Sequence, residues 1–318
     1  MKKRRQSRAR SYLASLGTVP VFSVYVFLLV WLAAVTLPLL WVLINSFRGA
    51  REFAENPFGL PWVLTGSPYP DVDPWAVALG NFRTAWIESQ FGTFFVNSVI
   101  VTCASLLGIL AFGSMAAYVL ARFSFPGRRL LYLYFISGMM FPAQLLLVPL
   151  FFQCAWLGDT LSRVVAPLGL EVHLHDSLGA LTMIYIALSL PFTILVLTGF
   201  FKTLPGELRE AAILDGCGEF RAFWHVMLPL ARPGLAATAI FNFLGLWNEY
   251  LFALVFLNAP EKRTLPLGLA GVSMQAQYQS DFGLMFAGLV IVLLPTLGIY
   301  LLLQRQLTRG ITLGALKG

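Results

Sequence analysis

The chain has 318 residues, of which 58% are hydrophobic and only 12% charged, with a formal net charge of +7. An ordinary soluble domain is about 25% charged, so a water-solvated fold of this length is excluded and lipid is the expected solvent. The positive charge does not indicate nucleic acid. The basic residues form no stripe beside aromatics but sit in short clusters between long apolar runs.

In chain order, the first ten residues are strongly basic and precede an apolar stretch at 19–44. A cleaved signal has an apolar core of about 7–15 residues, so this stretch is expected to be a retained first span. About 20 apolar residues cross the hydrocarbon core. Six stretches meet that length: 19–47, 94–121, 130–153, 178–201, 235–257 and 282–303. Lipid leaves no backbone group unsatisfied, so each is expected to be a helix. Pro38, Pro142, Pro149, Pro191 and Pro295 fall within them, and a bundle can absorb the resulting kinks. The expected fold is an all-α membrane protein with six transmembrane helices in one domain covering 1–318.

With the N-terminus inside, sixteen Lys and Arg fall in the inner segments and six in the outer ones. The bias places both termini in the cytoplasm. Residues 48–92, rich in Pro, Gly and Asp, are expected to form an ordered or semi-ordered outer loop, and 158–177 a second one. Cys103, Cys154 and Cys217 are too few and too scattered for a disulfide framework or a zinc site. His173 and His175, with Asp159 and Asp176 nearby, lack a full ligand set, so no metal is expected.

The most informative segment is the loop 204–234 between the fourth and fifth spans. Pro205-Gly206 breaks the chain after the span. Glu207 and Glu210 then occupy the first turns of a new helix, where acidic groups complement the dipole. Ala211, Ala212 and Leu214 give it a small apolar surface, and Asp215-Gly216 stops it. Phe220, Phe223, Trp224 and Met227 follow at helical spacing, and Leu228-Pro229 is expected to end this second helix. A cytoplasmic helix-turn-helix with this much apolar surface implies a partner.

The run Glu210-Ala211-Ala212, three residues, Gly216, nine residues, then Val226-Met227-Leu228-Pro229 resembles the EAA loop of ATP-binding-cassette importer permeases. The family has Ile where Val226 stands. Asn97-Ser98, Ala117-Tyr118 through Arg122, Phe125-Pro126-Gly127-Arg128, Trp247-Asn248-Glu249-Tyr250 and the ending Gln304-Arg305 to Gly318 resemble its carbohydrate branch, the maltose-type permeases with six spans. The outer loops 62–77 and 163–175 are longer than that pattern. The resemblance implies that Glu207, Glu210, Ala211, Ala212, Leu214, Gly216, Val226, Leu228 and Pro229 form a coupling helix and its support, docking on an ATPase subunit. It further implies a second, similar permease chain, two ATPase copies that bind ATP and Mg, an extracytoplasmic sugar-binding protein, and an inner-membrane location. No G-x-x-x-x-G-K-[ST] occurs, so this chain has no phosphate-cradling loop; no cofactor and no catalytic residue are expected in it.

Asn97, Gln144, Asn242, Trp247, Asn248 and Glu249 are the candidates for a substrate pathway. Each has a plainer alternative. Asn97, Gln144 and Asn242 fit bonds between helices. Trp247 fits an interfacial belt better than a sugar platform. Glu249 is either an intramembrane functional carboxylate or a hydrated group at the end of its span. Gln275, Gln277 and Tyr278, in the outer loop 259–281, are candidates to touch a binding protein. A glycerol phosphate or another small solute is the alternative cargo, although the spans hold essentially no basic residue. An ion-coupled secondary carrier is the alternative of another class, but no internal repeat is visible.

Overall fold

The computed structural model describes residues 21–166, 174–279 and 281–315. The basic residues 1–10, His173 and the last three residues lie outside these; Gln277 and Gln304 lie on described helices, but their side chains do not belong to the described set. Among the described residues there is no strand. The helices are α1 Val21–Asn45, α2 Ala50–Glu55, α3 Trp62–Thr65, α4 Pro74–Arg83, α5 Phe91–Arg122, α6 Arg128–Ser137, α7 Leu147–Val165, α8 Leu178–Thr203, α9 Glu207–Leu214, α10 Glu219–Ala222, α11 Leu228–Leu230, α12 Arg232–Trp247, α13 Leu251–Phe256, α14 Leu265–Gln279 and α15 Phe282–Ala315. Two π-helical turns, Thr84–Glu88 and Phe223–Met227, interrupt the α-helical order.

Among the described residues five helical stretches are long and apolar enough to cross a membrane: Phe22–Asn45, Phe91–Arg122, Ala143–Val164, Leu178–Thr203 and Phe282–Leu302. A sixth arises if the pair Glu219–Leu230 and Arg232–Trp247, bent by 73°, counts as one span. Four of the expected spans therefore appear close to their expected places. Two differ. The third, expected at 130–153, is broken: α6 ends at Ser137, a turn carries Gly138 to Pro142, and the apolar crossing runs instead through Ala143–Val164. Pro142 forces extended geometry on its predecessor and cannot donate to a continuing helix. The fifth, expected as one helix over 235–257, breaks at Asn248–Tyr250 and resumes as α13.

The chain's internal contacts group into two units, residues 21–82 with 281–290, and residues 83–166 with 174–279 and 291–315. In the first unit α1 is apolar on every side and exposed along nearly its whole length, as a lipid-facing helix must be. Trp41 sits against Phe58, Phe53 and Phe286 with ring centroids 5.1–6.2 Å apart. The expected outer loop 48–92 holds three helices here. Arg48, 1% exposed, donates to the carbonyls of Asn56 and Gly59, and pairs with Glu52 at 3.7 Å. Gly283 packs so closely on the Arg48 carbonyl that a Cβ would overlap it.

In the second unit α5 and α8 form the central pair. Their apolar faces, Val101 and Ile109 against Leu181, Ile184 and Tyr185, bury with Leu246, Phe252 and Phe256 into one core. Gly113 on α5 faces Thr193 on α8 at a distance that leaves no room for a larger residue, the small-residue approach typical of membrane helix pairs. Residues 259–281, expected as a loop, contain the 15-residue α14. Its apolar stretch, Leu265–Ala276, is too short to cross a bilayer. It lies on α5, with Gly268 pressed on the Phe94 ring.

Candidate functional site

The segment 204–234 is built as two helical pieces around one positive-φ glycine. α9 begins one residue past Gly206, with Glu207 and Glu210 in its first turn, and its last amides close on Ala211 and Ile213 before Gly216 turns the chain at φ 87°. A residue with a Cβ strains there, which is why Gly occupies the place. α10 then runs into the π turn Phe223–Met227, and the helix continues through Leu228 and Pro229 to Leu230. The expected stop at Leu228-Pro229 is thus displaced to Ala231. Pro229 lies in the first turn of the new α segment, where a missing N–H costs nothing.

The two pieces have an inward and an outward face. Inward, Phe223 and Met227 bury with Ala117 and Tyr118 of α5 and Leu197 and Phe201 of α8, together with Ala231. The Tyr118 ring lies 4.9 Å from Phe223 and 5.6 Å from Phe201. Ala212 is the buried residue of α9. Outward lie Glu207, Glu210, Ala211 and Leu214, all exposed, with Leu214 at 87%. Phe220 and Trp224 extend the exposed surface, their rings parallel at 6.3 Å. Val226, Leu228 and Pro229 are half-buried supports behind it. The outward face is therefore acidic, then small, then apolar, and nothing among the described residues covers it.

Two arginines hold the loop. Arg122, the last residue of α5, donates from Nη2 to the carbonyls of Phe201 at 2.7 Å and Leu204 at 2.6 Å. It satisfies carbonyls that the end of α8 leaves open. Arg209 of α9 bonds Glu219 of α10 through Nε at 3.0 Å and through a second, ion-paired contact, and its guanidinium stands 5.0 Å from the Phe123 ring. The hydrogen bond that Arg209 donates to Glu219 raises the Arg209 pKa.

Most of the candidate pathway residues bond within the chain. Asn97, 8% exposed, donates to the carbonyls of Glu261 and Arg263, and the neighbouring Ser98 accepts the Leu265 amide at 2.7 Å. Both tie α5 to the start of α14. Asn242 donates to Thr193 Oγ1 of α8 at 2.9 Å. Gln144 is exposed in a one-turn 3-10 helix, Ala143–Leu146. Trp247, placed on the interfacial belt from sequence, is instead 3% exposed, stacked on Phe243 and edge-on to Phe95. Asn248 is exposed and bonds the Leu244 carbonyl. Glu249 accepts from the Tyr185 hydroxyl at 2.5 Å and from the amides of Phe252 and Ala253 at 2.8 and 3.2 Å. Its carboxylate thus covers the open N–H groups of α13, a third role besides the two foreseen. Gln275 and Tyr278 are exposed on α14. Among the described residues no group of His, Cys, Asp and Glu could hold a metal.

Sequence reasoning also missed a tie between the residue run before α8 and the one after α13. Asp176, at φ 53°, accepts from the amides of Asn258 and Ala259 and pairs with Lys262 at 3.0 Å. Desolvation pushes its pKa up, but the Lys262, Ala259 and Asn258 bonds outweigh it and hold the carboxyl below its ordinary range. A carboxyl depressed in the fold contributes stability above its unfolded pKa and loses it as pH falls through the folded value. The Asn258 and Ala259 amides are therefore expected to exchange slowly at neutral pH and to lose protection only below the ordinary carboxylate range. Hydrogen exchange followed against pH checks this; protection unchanged in Asp176→Ala would sink it.

The family model described as binding-protein-dependent transport system inner membrane component matches residues 109–312. The chain belongs to this family. The diacetylchitobiose uptake system permease protein of Streptomyces coelicolor is 39% identical over 290 residues, 91% of this chain and 87% of its own. The arabinooligosaccharides transport system permease protein of Halalkalibacterium halodurans is 31% identical over 99% of this chain and 100% of its own. The trehalose transport system permease protein of Mycobacterium tuberculosis is 32% identical over 89% and 92%. The crystal structure of a bacterial ABC transporter involved in the import of the acidic polysaccharide alginate superposes with a TM-score of 0.69 over 91% of this chain and 97% of that one, at 20% identity; this is a likeness of fold. The permease is accordingly a multi-pass membrane transport component.

Proposed function

We propose that this permease carries a neutral sugar or short oligosaccharide inward as half of an ATP-driven pore, and that the face of Glu207, Glu210, Ala211 and Leu214 docks on a separate ATPase subunit. The observation that carries this is the two-sided build of the loop. One side is clamped to α5 and α8 by Tyr118, Phe223 and Arg122, and the other is left bare. A face so held transmits displacement to the spans as a rigid body. Small alanines allow close seating, and two carboxylates at the start of α9 suit a basic or amide partner.

The same reading places the loop and both termini in the cytoplasm, pairs this chain with a second and similar permease, and gives ATP and Mg to two ATPase copies. Cargo arrives from an extracytoplasmic binding protein, for which Gln275, Gln277 and Tyr278 are the contact candidates. Relatives named for oligosaccharide uptake support the sugar class, as does the scarcity of basic residues in the spans. Reconstitution tests it. Sugar uptake is expected only when the partner permease, the ATPase and the binding protein are all present with ATP. Uptake by this chain alone under an ion gradient would overturn it.

A further inference from the structure

A second feature stands apart from the coupling surface and from any sugar path. Where α5 ends and α6 begins, a cavity of about 540 Å³ opens beside the end of α8. Arg128, Arg129 and Lys202 line it with Tyr132, Leu120 and Leu130, and no acidic residue does. Arg128 is half-buried, while Arg129 and Lys202 are exposed. Among the described residues neither arginine has an ion-pair partner, and the charge contact of Lys202 Nζ is the Tyr132 ring at 5.5 Å. Three cations in one concavity without a counter-charge focus a positive potential that draws an anion close. The cavity lies within the ordinary size range of a ligand site.

Position selects the anion. The cavity sits at the ends of two apolar crossings, Phe91–Arg122 and Leu178–Thr203. Hydrocarbon ends there and headgroups begin. The adjoining face of α6 is apolar and bare: Leu130 and Tyr134 are each 74% exposed and Leu133 50%. These follow at i, i+3 and i+4, one stripe along the helix. A ligand that fits both parts has a phosphate for the arginine forks and an acyl chain for the stripe.

We infer that the cavity of Arg128, Arg129 and Lys202 binds the headgroup of an anionic phospholipid, whose chain lies on Leu130, Leu133 and Tyr134. Basic pockets between membrane helices hold such headgroups. The acidic outward face of α9 would repel the same ligand, so the two surfaces take different partners.

The test uses the full chain purified with its co-expressed partner subunits, in nanodiscs of phosphatidylcholine with graded phosphatidylglycerol or cardiolipin, and counts retained lipid by native mass spectrometry. Wild type is expected to retain phosphatidylglycerol or cardiolipin in preference to phosphatidylcholine. Each neutralised cation is expected to weaken this about five-fold, and R128Q/R129Q/K202Q together about a hundred-fold. R128K/R129K is expected to keep most of the retention, which separates lost charge from lost folding. Leu133→Gln is expected to weaken retention of the intact lipid. Equal retention by wild type and the triple variant would overturn the inference. Displacement of the lipid by excess inorganic phosphate would also overturn it, in favour of a free-phosphate site. Loss of the ATPase subunit from the triple variant with lipid retention unchanged would overturn it in favour of a protein contact.

Discussion

Glu210→Lys is expected to release the ATPase subunit from the permease, or to leave ATP hydrolysis running without uptake. Glu210 is exposed and its side chain bonds nothing among the described residues, and its backbone amide keeps its bond to Gly206. Reversing its charge costs the free helix only the dipole interaction of its first turn, about 0.3–1 kcal/mol. Against a basic partner the cost is several kcal/mol, because a like charge replaces an opposite one. At about 2 kcal/mol the docking constant already falls roughly thirty-fold. Co-purification of the subunits and ATP-driven uptake are the measurements, with Glu210→Gln expected in between. Arg209→Ala serves as the contrast. It removes the Glu219 tie and the Phe123 contact, so it loosens the loop itself and changes its proteolysis. Normal assembly and normal uptake in Glu210→Lys would remove the coupling role from this residue.

How much of this was legible in the sequence depends on how local each signal is. The first, second, fourth and sixth spans show in hydropathy because each apolar run coincides with one helix. The third does not, because Met139, Met140 and Phe141 keep the break at Gly138–Pro142 as apolar as the helices beside it; only Pro142 marked it. The fifth broke at Asn248-Glu249, a polar pair plain in the sequence. Its purpose, feeding a carboxylate to the amides of α13, depends on geometry that composition does not carry. α14 was missed because a short apolar helix meets no span-length criterion. Of the outward loop surface, Glu210-Ala211-Ala212 and Gly216 stood at a readable spacing. The residues that hold that surface did not, since Tyr118 and Arg122 lie about eighty or more positions from what they grip, and no periodicity spans such a distance.

The largest loss of stability is expected from Arg48→Met. Arg48 and Glu52 are 1% and 5% exposed, and the guanidinium holds the carbonyls of Asn56 and Gly59 while Glu52 accepts the Trp62 amide at 2.6 Å. The Arg48–Glu52 pair therefore closes the chain from 48 to 62. Removing the guanidinium leaves two part-buried carbonyls without a donor and a buried carboxyl group without its counter-charge, a loss of about 3–5 kcal/mol. Replacing both, as in Arg48→Met with Glu52→Met, removes the stranded charge and is expected to recover much of the loss. The pH dependence carries a sign that tests the cause. Burial pushes the Glu52 carboxyl above its ordinary range, and the Trp62 amide and Arg48 pull it back only partly. A carboxyl raised in the fold contributes stability that is fully present below its unfolded pKa and is lost as pH rises through the folded one. Without Arg48 the rise grows, so Arg48→Met is expected to gain stability relative to wild type on acidification toward the carboxylate range. Proteolysis between residues 56 and 62 and exchange of the Trp62 amide report both effects. A penalty for Arg48→Met that does not shrink at low pH would show that the guanidinium acts through its two carbonyl bonds alone and not by neutralising Glu52.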